Sequence, residues 1–511
     1  MANLFDPKDR RVLPNWRSYS LTVDLGELND WHEESINRYS RNLSIDDYLL
    51  SWEQSKTIAI AGDLLSAAFV NGFAENPVVK DAALFVLSNQ DKSTNTLINF
   101  AEKIINPPDD TIKRRVTFNN PEDCIQPNSL GNLIREIKNR LKQYPLNPIL
   151  YVELSRLYSI LGHKEKALQN MSIALQLAPE DRFVLRAASR LYVHFDSIDY
   201  IYHLIKNSDV VQHDPWITST EIALATIMKR SPHLIKKGLQ MIKSGKYSPF
   251  SLTELAASIG TLEFFNGNRK KTRNFLKKAL ISPNDNSLAQ VEWILNKTHL
   301  FEMNPSDYKI ENKYEALVLN DYYNGQWNAG LKNSVAWFCD LPFSKQPVIF
   351  GSHIAGDILE KSDVARKLLY AGLISHPNDA QIINNLVYSL ALENKLNEAE
   401  KYMGRIRNWS TIDPIAQICL TATSGLISFR RGLQDQGRYQ YLKAIEATKV
   451  LKNKHFQWLA ELNYAREEIL SKSDHIDSIM NAVKKIPEKT EYPHINKLRN
   501  DVLILYSKAK K

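Results

Sequence analysis

The chain has little glycine, little cysteine and no long apolar run, and each shortage argues against a class of protein. Only 18 of its 511 residues are glycine, about half the usual share, so glycine-rich phosphate loops and many tight β-turns are not expected. The cysteines, Cys124, Cys339 and Cys419, are too far apart for a CxxC or CxxH zinc pair, and we expect no disulfide. The longest apolar stretch, from Ile58, is interrupted by Asp63 and is too short to span a membrane.

The sequence also lacks the local signatures of common catalytic sites. Nucleotide-binding, metalloprotease and serine-hydrolase motifs of the forms GxxxxGK[ST], GxGxxG, HExxH and GxSxG are absent. His213 and Asp214 resemble the centre of a metal-phosphohydrolase motif, but Pro215 follows, which is typical of a helix start. We predict a chain without catalytic activity, metal or cofactor. The alternative is an enzyme whose site lies within residues 1–110 and leaves no local motif.

The overall composition is that of a folded protein without membrane spans. Hydrophobic residues make up 43% and charged residues 24% of the chain, which excludes a wholly disordered chain. At about 100 to 200 residues per domain, this length predicts either several domains or one elongated repeat array. The first residues have no apolar signal-peptide segment. We therefore expect a cytoplasmic protein that does not contact membranes.

Charge is distributed unevenly along the chain. Residues 1–110 contain ten Lys and Arg against seventeen Asp and Glu, although the whole chain carries a formal net charge of +8. Residues 229–278 contain twelve Lys and Arg and only two acids, Glu254 and Glu263. This asymmetry predicts an acidic N-terminal module and a basic central surface that attracts an acidic partner.

A repeated pattern begins in the middle of the chain and is clearest in residues 147–180. Counted from Pro148, bulky residues stand at positions 4, 7, 11 and 24, small residues at 8, 20 and 27, glycine at 15 and proline at 32. These are Tyr151, Leu154, Tyr158 and Met171, then Ser155, Ala167 and Ala174, then Gly162 and Pro179. Two antiparallel helices approach closely where small side chains face one another, and large ones fill the remaining space.

This pattern resembles the tetratricopeptide repeat (TPR), a helix pair of about 34 residues. Weaker copies follow over most of the remaining chain, for example with Gly260 and Gly267, and later with Gly425 and Gly432, at positions 8 and 15. The resemblance covers about three quarters of the sequence. It implies an all-α fold, an α-solenoid of eight to nine TPR-like helix pairs, whose concave face is formed by the first helix of each pair.

The pattern also predicts the domain organisation. Residues 1–105 form an acidic, partly irregular helical module, within which residues 1–43 have no assigned structure. Residues 106–128 contain four prolines and no periodicity, which is typical of a linker. Residues 129–511 form the TPR-like superhelix, and its last segment is expected to be a capping helix with a polar outer face.

Four basic residues are expected on the concave face. Arg156, Arg186, Arg190 and His194 occupy positions 9, 5, 9 and 13 of two consecutive units. Guanidinium groups bind carboxylates and phosphates in bidentate fashion, so these residues are candidates for binding an acidic protein or peptide. Because they lie opposite the packing residues, replacing the three arginines with Glu is expected to leave the fold intact. The alternative is that the arginines are solvated or pair with local acids.

The resembled family includes peptide-binding members that use a carboxylate clamp of Lys and Asn residues. The corresponding positions here are Val152, Arg156 and Ala187. This difference argues against recognition of a chaperone tail at these two repeats.

A second basic group is expected on the outer surface. Lys270, Arg273 and Lys277 follow helical spacing, with Lys278 beside them, in what the pattern makes a second helix. They could contact nucleic-acid phosphates, although no aromatic platform lies among them. The alternative is that these four residues only form a solvated helix face and contact no nucleic acid.

We therefore predict a non-catalytic scaffold or adaptor that binds an acidic or extended protein partner on the concave face. Long arrays with a distinct N-terminal module resemble accessory subunits of bacterial regulatory or anti-phage systems. The alternative function is nucleic-acid binding through the basic segment 229–278.

Overall fold

All the regular secondary structure in the described part of the chain is helical. A computed structural model describes residues 13–18, 45–71, 76–106, 127–407, 412–490 and 492–510. These residues form twenty-five α-helices and contain no β-strand. The all-α prediction is confirmed for them. The linker predicted at residues 106–128 lies almost entirely outside the described ranges, so the domain boundaries stay a prediction.

Four helices form the N-terminal module. They are α1 (Ile45–Gln54), α2 (Ile58–Asn71), α3 (Pro77–Ser88) and α4 (Asn95–Ile105). Asn76 begins α3 by accepting a hydrogen bond from the Val78 N–H at 2.8 Å. Trp52, Leu64 and Val86 belong to one buried apolar cluster, so the module has a hydrophobic core of its own.

Two compact units divide the chain. The N-terminal unit includes residues 13–18, the four helices of the N-terminal module and eleven further helices. These are α5 (Pro127–Gln143), α6 (Pro148–Ile160), α7 (Lys164–Leu177), α8 (Arg182–His194), α9 (Ile198–Asn207), α10 (Pro215–Ile227), α11 (Ile235–Lys243), α12 (Pro249–Phe265), α13 (Arg269–Ala279), α14 (Asp285–Thr298) and α15 (Tyr314–Tyr323). Helices α6 to α13 form four consecutive pairs, and α14 packs against α15.

The C-terminal unit contains ten helices. These are α16 (Trp327–Asp340), α17 (Lys345–His353), α18 (Ser362–Ser375), α19 (Ala380–Leu392), α20 (Leu396–Met403), α21 (Pro414–Arg430), α22 (Gln434–Val450), α23 (Lys454–Leu470), α24 (Ile476–Val483) and α25 (Pro493–Ala509). A π-helical turn, Ile354–Ile358, continues α17. Helices α17 to α24 form four further pairs, so the predicted number of eight to nine helix pairs is confirmed.

The sequence sets where each helix pair begins and turns. Asn147 caps α6 and Asp214 caps α10, each accepting from backbone N–H groups, and a proline follows at the first helical position. Gly162, the predicted turn residue, has a φ of 71°, and Gly267 has a φ of 75°. Such angles favour glycine because it has no Cβ. The turns between paired helices therefore lie where the repeat pattern placed them.

Small residues allow close packing within pairs, as the pattern predicted. A methyl group placed on Gly437 of α22 would lie 2.5 Å from Cδ2 of Phe429 and 3.0 Å from the carbonyl oxygen of Gly425 in α21. Real Cβ atoms do not approach other atoms this closely. The α21–α22 pair therefore requires glycine at these positions.

The cysteines differ from the expectation in one respect. Cys419 is a buried free thiol. Cys339 is disulfide-bonded, so the expectation that the chain forms no disulfide is wrong. Distance along the sequence does not determine distance in a folded chain.

Among the described helices, none is both long enough and apolar enough to cross a membrane.

Candidate functional site

A short segment of the chain lies against the helices of the N-terminal unit. Residues 13–18, with the sequence LPNWRS, have no helical or strand structure. We call this segment the strap. Its hydrogen-bonding partners lie on α6 and α14, which are first helices of their pairs. The strap groove comprises the following polar residues on first helices: Glu153, Arg156, Arg186, Glu254, Asp285 and Asn286.

Both the backbone and the side chains of the strap are bound. Asn286 donates from Nδ2 to the carbonyl oxygen of Leu13 at 2.7 Å. Leu13 and Trp16 are each only 2% exposed. Burial of a leucine and a tryptophan removes a large apolar area from water, which favours the docked position. The strap is therefore held by apolar burial and by hydrogen bonding together.

Asp285 is the main polar contact of the strap. Its Oδ2 accepts from Asn15 Nδ2 at 2.8 Å and from Arg17 Nη2 at 2.5 Å. Asp285 is the first residue of α14, and Asn284 caps this helix in a capping box. The positive end of the helix dipole favours a carboxylate here. The side chain of Asp285 is 14% exposed, so water screens this ion pair only partly.

The predicted residue Arg156 is paired within its own helix. Its Nε donates to both carboxylate oxygens of Glu153, at 3.0 and 3.2 Å, and its Nη2 also contacts Glu153. The Glu153 side chain is 5% exposed. Oε1 of Glu153 also accepts from Ser18 Oγ of the strap at 2.8 Å. Glu153 therefore links Arg156 to the strap.

The predicted residue Arg186 is paired across helices. Its Nη1 and Nη2 donate to the two oxygens of Glu254 on α12, at 2.8 and 3.0 Å, and its guanidinium lies 4.7 Å from the Trp216 ring centroid. Glu254 also accepts from Asn284 and from Asn286 at 2.8 and 3.1 Å. Four N–H donors therefore stabilise a carboxylate that is only 1% exposed.

Arg190 and His194 lie one and two turns after Arg186 on α8, and both are partly buried. The His194 ring packs edge-on against Phe195, with centroids 4.6 Å apart. The four predicted residues thus all belong to first helices. A role for them in partner binding stays a prediction.

Burial changes the acidity of two further carboxylates on first helices. Burial raises the pKa of Glu292, on α14, to about 7, although Asn296 donates a hydrogen bond that opposes the shift. Burial also raises the pKa of Glu221, on α10. These groups resist ionisation because the surrounding protein solvates a charge less well than water does.

The second basic group is exposed on the second helix of its pair. Lys270, Arg273, Lys277 and Lys278 are exposed on α13, whereas Leu276 of the same helix is buried. Lys277 Nζ is 5.7 Å from the Phe301 ring centroid. We call these four residues the basic stripe. Its contact with nucleic acid stays a prediction.

The catalytic fragment at His213 and Asp214 is structural. Asp214 caps α10 through the Trp216 and Ile217 N–H groups and pairs with Arg182. No group of three or more His, Cys, Asp and Glu side chains within the described ranges is placed to hold a metal ion. Asp214 thus acts as a helix cap.

Three histidines meet in the C-terminal unit. His353 Nδ1 is 2.7 Å from Asp357 Oδ2, and His455 Nε2 is 2.8 Å from His494 Nε2. The His353 and His494 rings are also in contact, with centroids 4.8 Å apart. Burial lowers the pKa of His455 to about 3 and lowers that of His494 as well. The cluster joins α17, α23 and α25.

Sequence reasoning missed the strap and the groove carboxylates. The only signal for the strap is a leucine and a tryptophan in a segment with no periodicity. Glu153 and Glu254 belong to helices that the repeat pattern predicts, but the pattern does not show which buried acids meet which arginines.

No family model matches the chain, and no curated protein does. Among solved structures, it is similar to yeast Tom70 at 13% identity, over 75% of this chain and 93% of that one, with a TM-score of 0.31. It is also similar to a structure of Naa15/Naa10 bound to HypK-THB. The identity is 14%, the match covers 95% of this chain and 87% of that one, and the TM-score is 0.24. A circular tandem repeat protein is similar at 10% identity. The match covers 95% of this chain and 97% of that one, and the TM-score is 0.14. These similarities assign no function.

Proposed function

We propose that the protein is a non-catalytic, TPR-like interaction scaffold that binds an extended polypeptide segment in the strap groove. The observation that carries this proposal is the strap itself. An extended segment lies in the groove with its Leu13 carbonyl hydrogen-bonded to Asn286 and with Trp16 buried. A surface that satisfies both the backbone and the side chains of one extended segment has the properties needed to bind another.

Recognition in this proposal depends on shape and on hydrogen bonding. The groove residues are preorganised, because Arg156 and Arg186 fix Glu153 and Glu254 through several hydrogen bonds each. Preorganisation lowers the entropy that a partner must lose on binding. Two of the arginines from which an acidic partner was expected are already paired with carboxylates, which argues against an acidic segment at these residues. The acidic partner itself stays a prediction.

Co-purification with a matched pair of variants tests the proposal. The tagged full chain is isolated from its native cells, and the proteins bound to it are identified by mass spectrometry with and without nuclease treatment. The groove variant Asp285→Ala/Asn286→Ala is expected to lose a specific protein partner. The control variant, in which the four residues of the basic stripe are replaced with Gln, is expected to keep it.

Two results would contradict the proposal. One is retention of every partner by a folded groove variant. The other is loss of every partner after nuclease treatment, which would favour nucleic-acid binding through segment 229–278. The identity of a partner would also test the predicted role as an accessory subunit of a bacterial regulatory or anti-phage system.

Nucleic-acid binding is the second candidate function. The basic stripe supports it because all four cations are exposed on one helix. Exposed cations of this kind bind phosphates without sequence preference.

A further inference from the structure

The strap meets the groove through side chains of defined chemistry. Asn15 and Arg17 both donate to Asp285, at 2.8 and 2.5 Å, and Ser18 donates to Glu153 at 2.8 Å. Leu13 and Trp16 provide the buried apolar contacts. A carboxamide, an aromatic ring and a guanidinium therefore follow one another in the bound segment.

Asp285 and Glu153, the charged groove residues that hydrogen-bond to the strap, are carboxylates. Asp285 binds Arg17 directly. Arg156 and Arg186, by contrast, donate to Glu153 and Glu254. An acidic segment placed on the strap's path would bring a carboxylate beside Asp285 and would be repelled. The groove therefore fits a basic segment at this point.

The strap contacts are also of a kind that another segment can replace. The strap has no helix or strand of its own. Two of the groove residues that bind it, Glu153 and Asn286, are held by other groove residues, Arg156 and Glu254. A segment tethered in the same chain competes with a free segment at a raised effective concentration. A free segment with the same groups can therefore displace the strap only if it binds the groove with high affinity, or if a substitution weakens the binding of the strap.

We propose that the strap occupies the binding site of the partner, and that the partner displaces it with a linear segment of similar chemistry: an apolar residue, a carboxamide, a buried aromatic residue and then an arginine or lysine. This inference rests on the proposed function and specifies the partner of the same groove. The strap reduces the affinity for the partner until it is displaced.

A labelled peptide tests the inference directly. The probe is a fluorescent peptide with the sequence of residues 11–20, and its binding to the full chain is measured by fluorescence anisotropy. The strap variant Trp16→Ala/Arg17→Ala is expected to bind this peptide at least tenfold more tightly than the wild type, because its own strap no longer fills the groove. Adding Asp285→Lys to the strap variant is expected to weaken binding at least tenfold.

Matched controls separate specific from general effects. Asp199 is an exposed carboxylate of the same unit, with its side chain 73% exposed. Adding Asp199→Lys instead of Asp285→Lys is expected to leave the affinity unchanged. Peptides in which Trp16 is replaced with Ala, or Arg17 with Glu, are expected to bind at least tenfold more weakly. If Trp16→Ala disturbs the helical fold by circular dichroism, Asn15→Ala/Arg17→Ala replaces it.

Three results would overturn the inference. The first is no peptide binding by a strap variant that keeps its circular dichroism spectrum. The second is binding that Asp285→Lys does not weaken. The third is a wild-type dimer that the peptide dissociates, which would make a second copy the occupant. If the peptide fails but a protein partner still depends on Asp285 and Asn286 in co-purification, the proposed function stands without this inference.

Discussion

At the scale of single residues, two of the three arginines expected to bind a partner, Arg156 and Arg186, already stabilise buried carboxylates. Glu254 is 1% exposed and receives two of its four donors from Arg186. Replacing Arg186 with Glu would place a second carboxylate beside it. The expectation that a triple arginine-to-glutamate variant keeps the fold does not hold for these contacts.

We predict that Arg186→Gln lowers the free energy of unfolding of the N-terminal unit by about 3 to 5 kcal/mol, the usual cost of removing one partner of a buried ion pair. Urea denaturation followed by circular dichroism measures this. The double variant Arg186→Gln/Glu254→Gln leaves no unpaired charge and should recover much of the loss. A change below about 1 kcal/mol in the single variant would show that the pair is not buried in solution.

The histidine cluster predicts how stability depends on pH. Burial lowers the pKa of His455 to about 3, whereas an unfolded histidine has a pKa of about 6.5. Between these values the unfolded state binds more protons, so stability is complete above about pH 6.5 and is lost as the pH falls toward 3. From pH 6.5 to pH 5 the loss is about 2 kcal/mol for this residue.

The measurement is the melting temperature of the C-terminal unit at pH 7.5 and pH 5. The wild type should melt lower at pH 5, and His455→Gln should reduce the difference. His475 is exposed, so His475→Gln is the matched control and should leave the difference unchanged. Equal pH dependence in all three proteins would rule out His455 as the source.

At the scale of helices, the α21–α22 pair depends on two glycines. A methyl group on Gly437 would lie 2.5 Å from Phe429. We predict that Gly437→Ala destabilises the C-terminal unit by about 1 to 3 kcal/mol, as overpacking usually does. Gly131 of α5 has nothing within 4 Å of the same position, so Gly131→Ala should be neutral or slightly stabilising. Thermal melts of both variants compare the two sites.

The basic stripe on α13 also belongs to this scale. We predict that replacing Lys270, Arg273, Lys277 and Lys278 with Gln leaves both duplex DNA affinity and its salt dependence unchanged, because a solvated face makes no phosphate contacts. Each contact that did form would contribute about 0.9 to the slope of log affinity against log salt, or up to about 3.6 for four. A steep slope that collapses in the variant would favour nucleic-acid binding.

At the scale of the whole molecule, the helix pairs could be predicted and the groove occupant could not. Tyr158, Gly162 and Ala167 encode a pair locally, within one repeat length, so periodicity is enough to find it. The strap depends on contacts between residues 135 and 270 positions apart. Its six residues carry no periodic pattern, because an extended segment held by side-chain hydrogen bonds needs none.

The strap also changes how the N-terminal unit should unfold. Stacked repeats contact mainly their neighbours, so an array can lose structure from one end. Arg17 and Ser18 are adjacent in the chain yet bind Asp285 on α14 and Glu153 on α6. Unfolding of the repeat at α6 or at α14 therefore loosens the strap, and this weakens its contacts with the other repeat. The strap thus couples distant repeats, and the unit unfolds more cooperatively. Trp16→Ala should broaden the urea transition of this unit as well as lower its midpoint. A strap that joins distant repeats thus makes an array behave more like one globular domain.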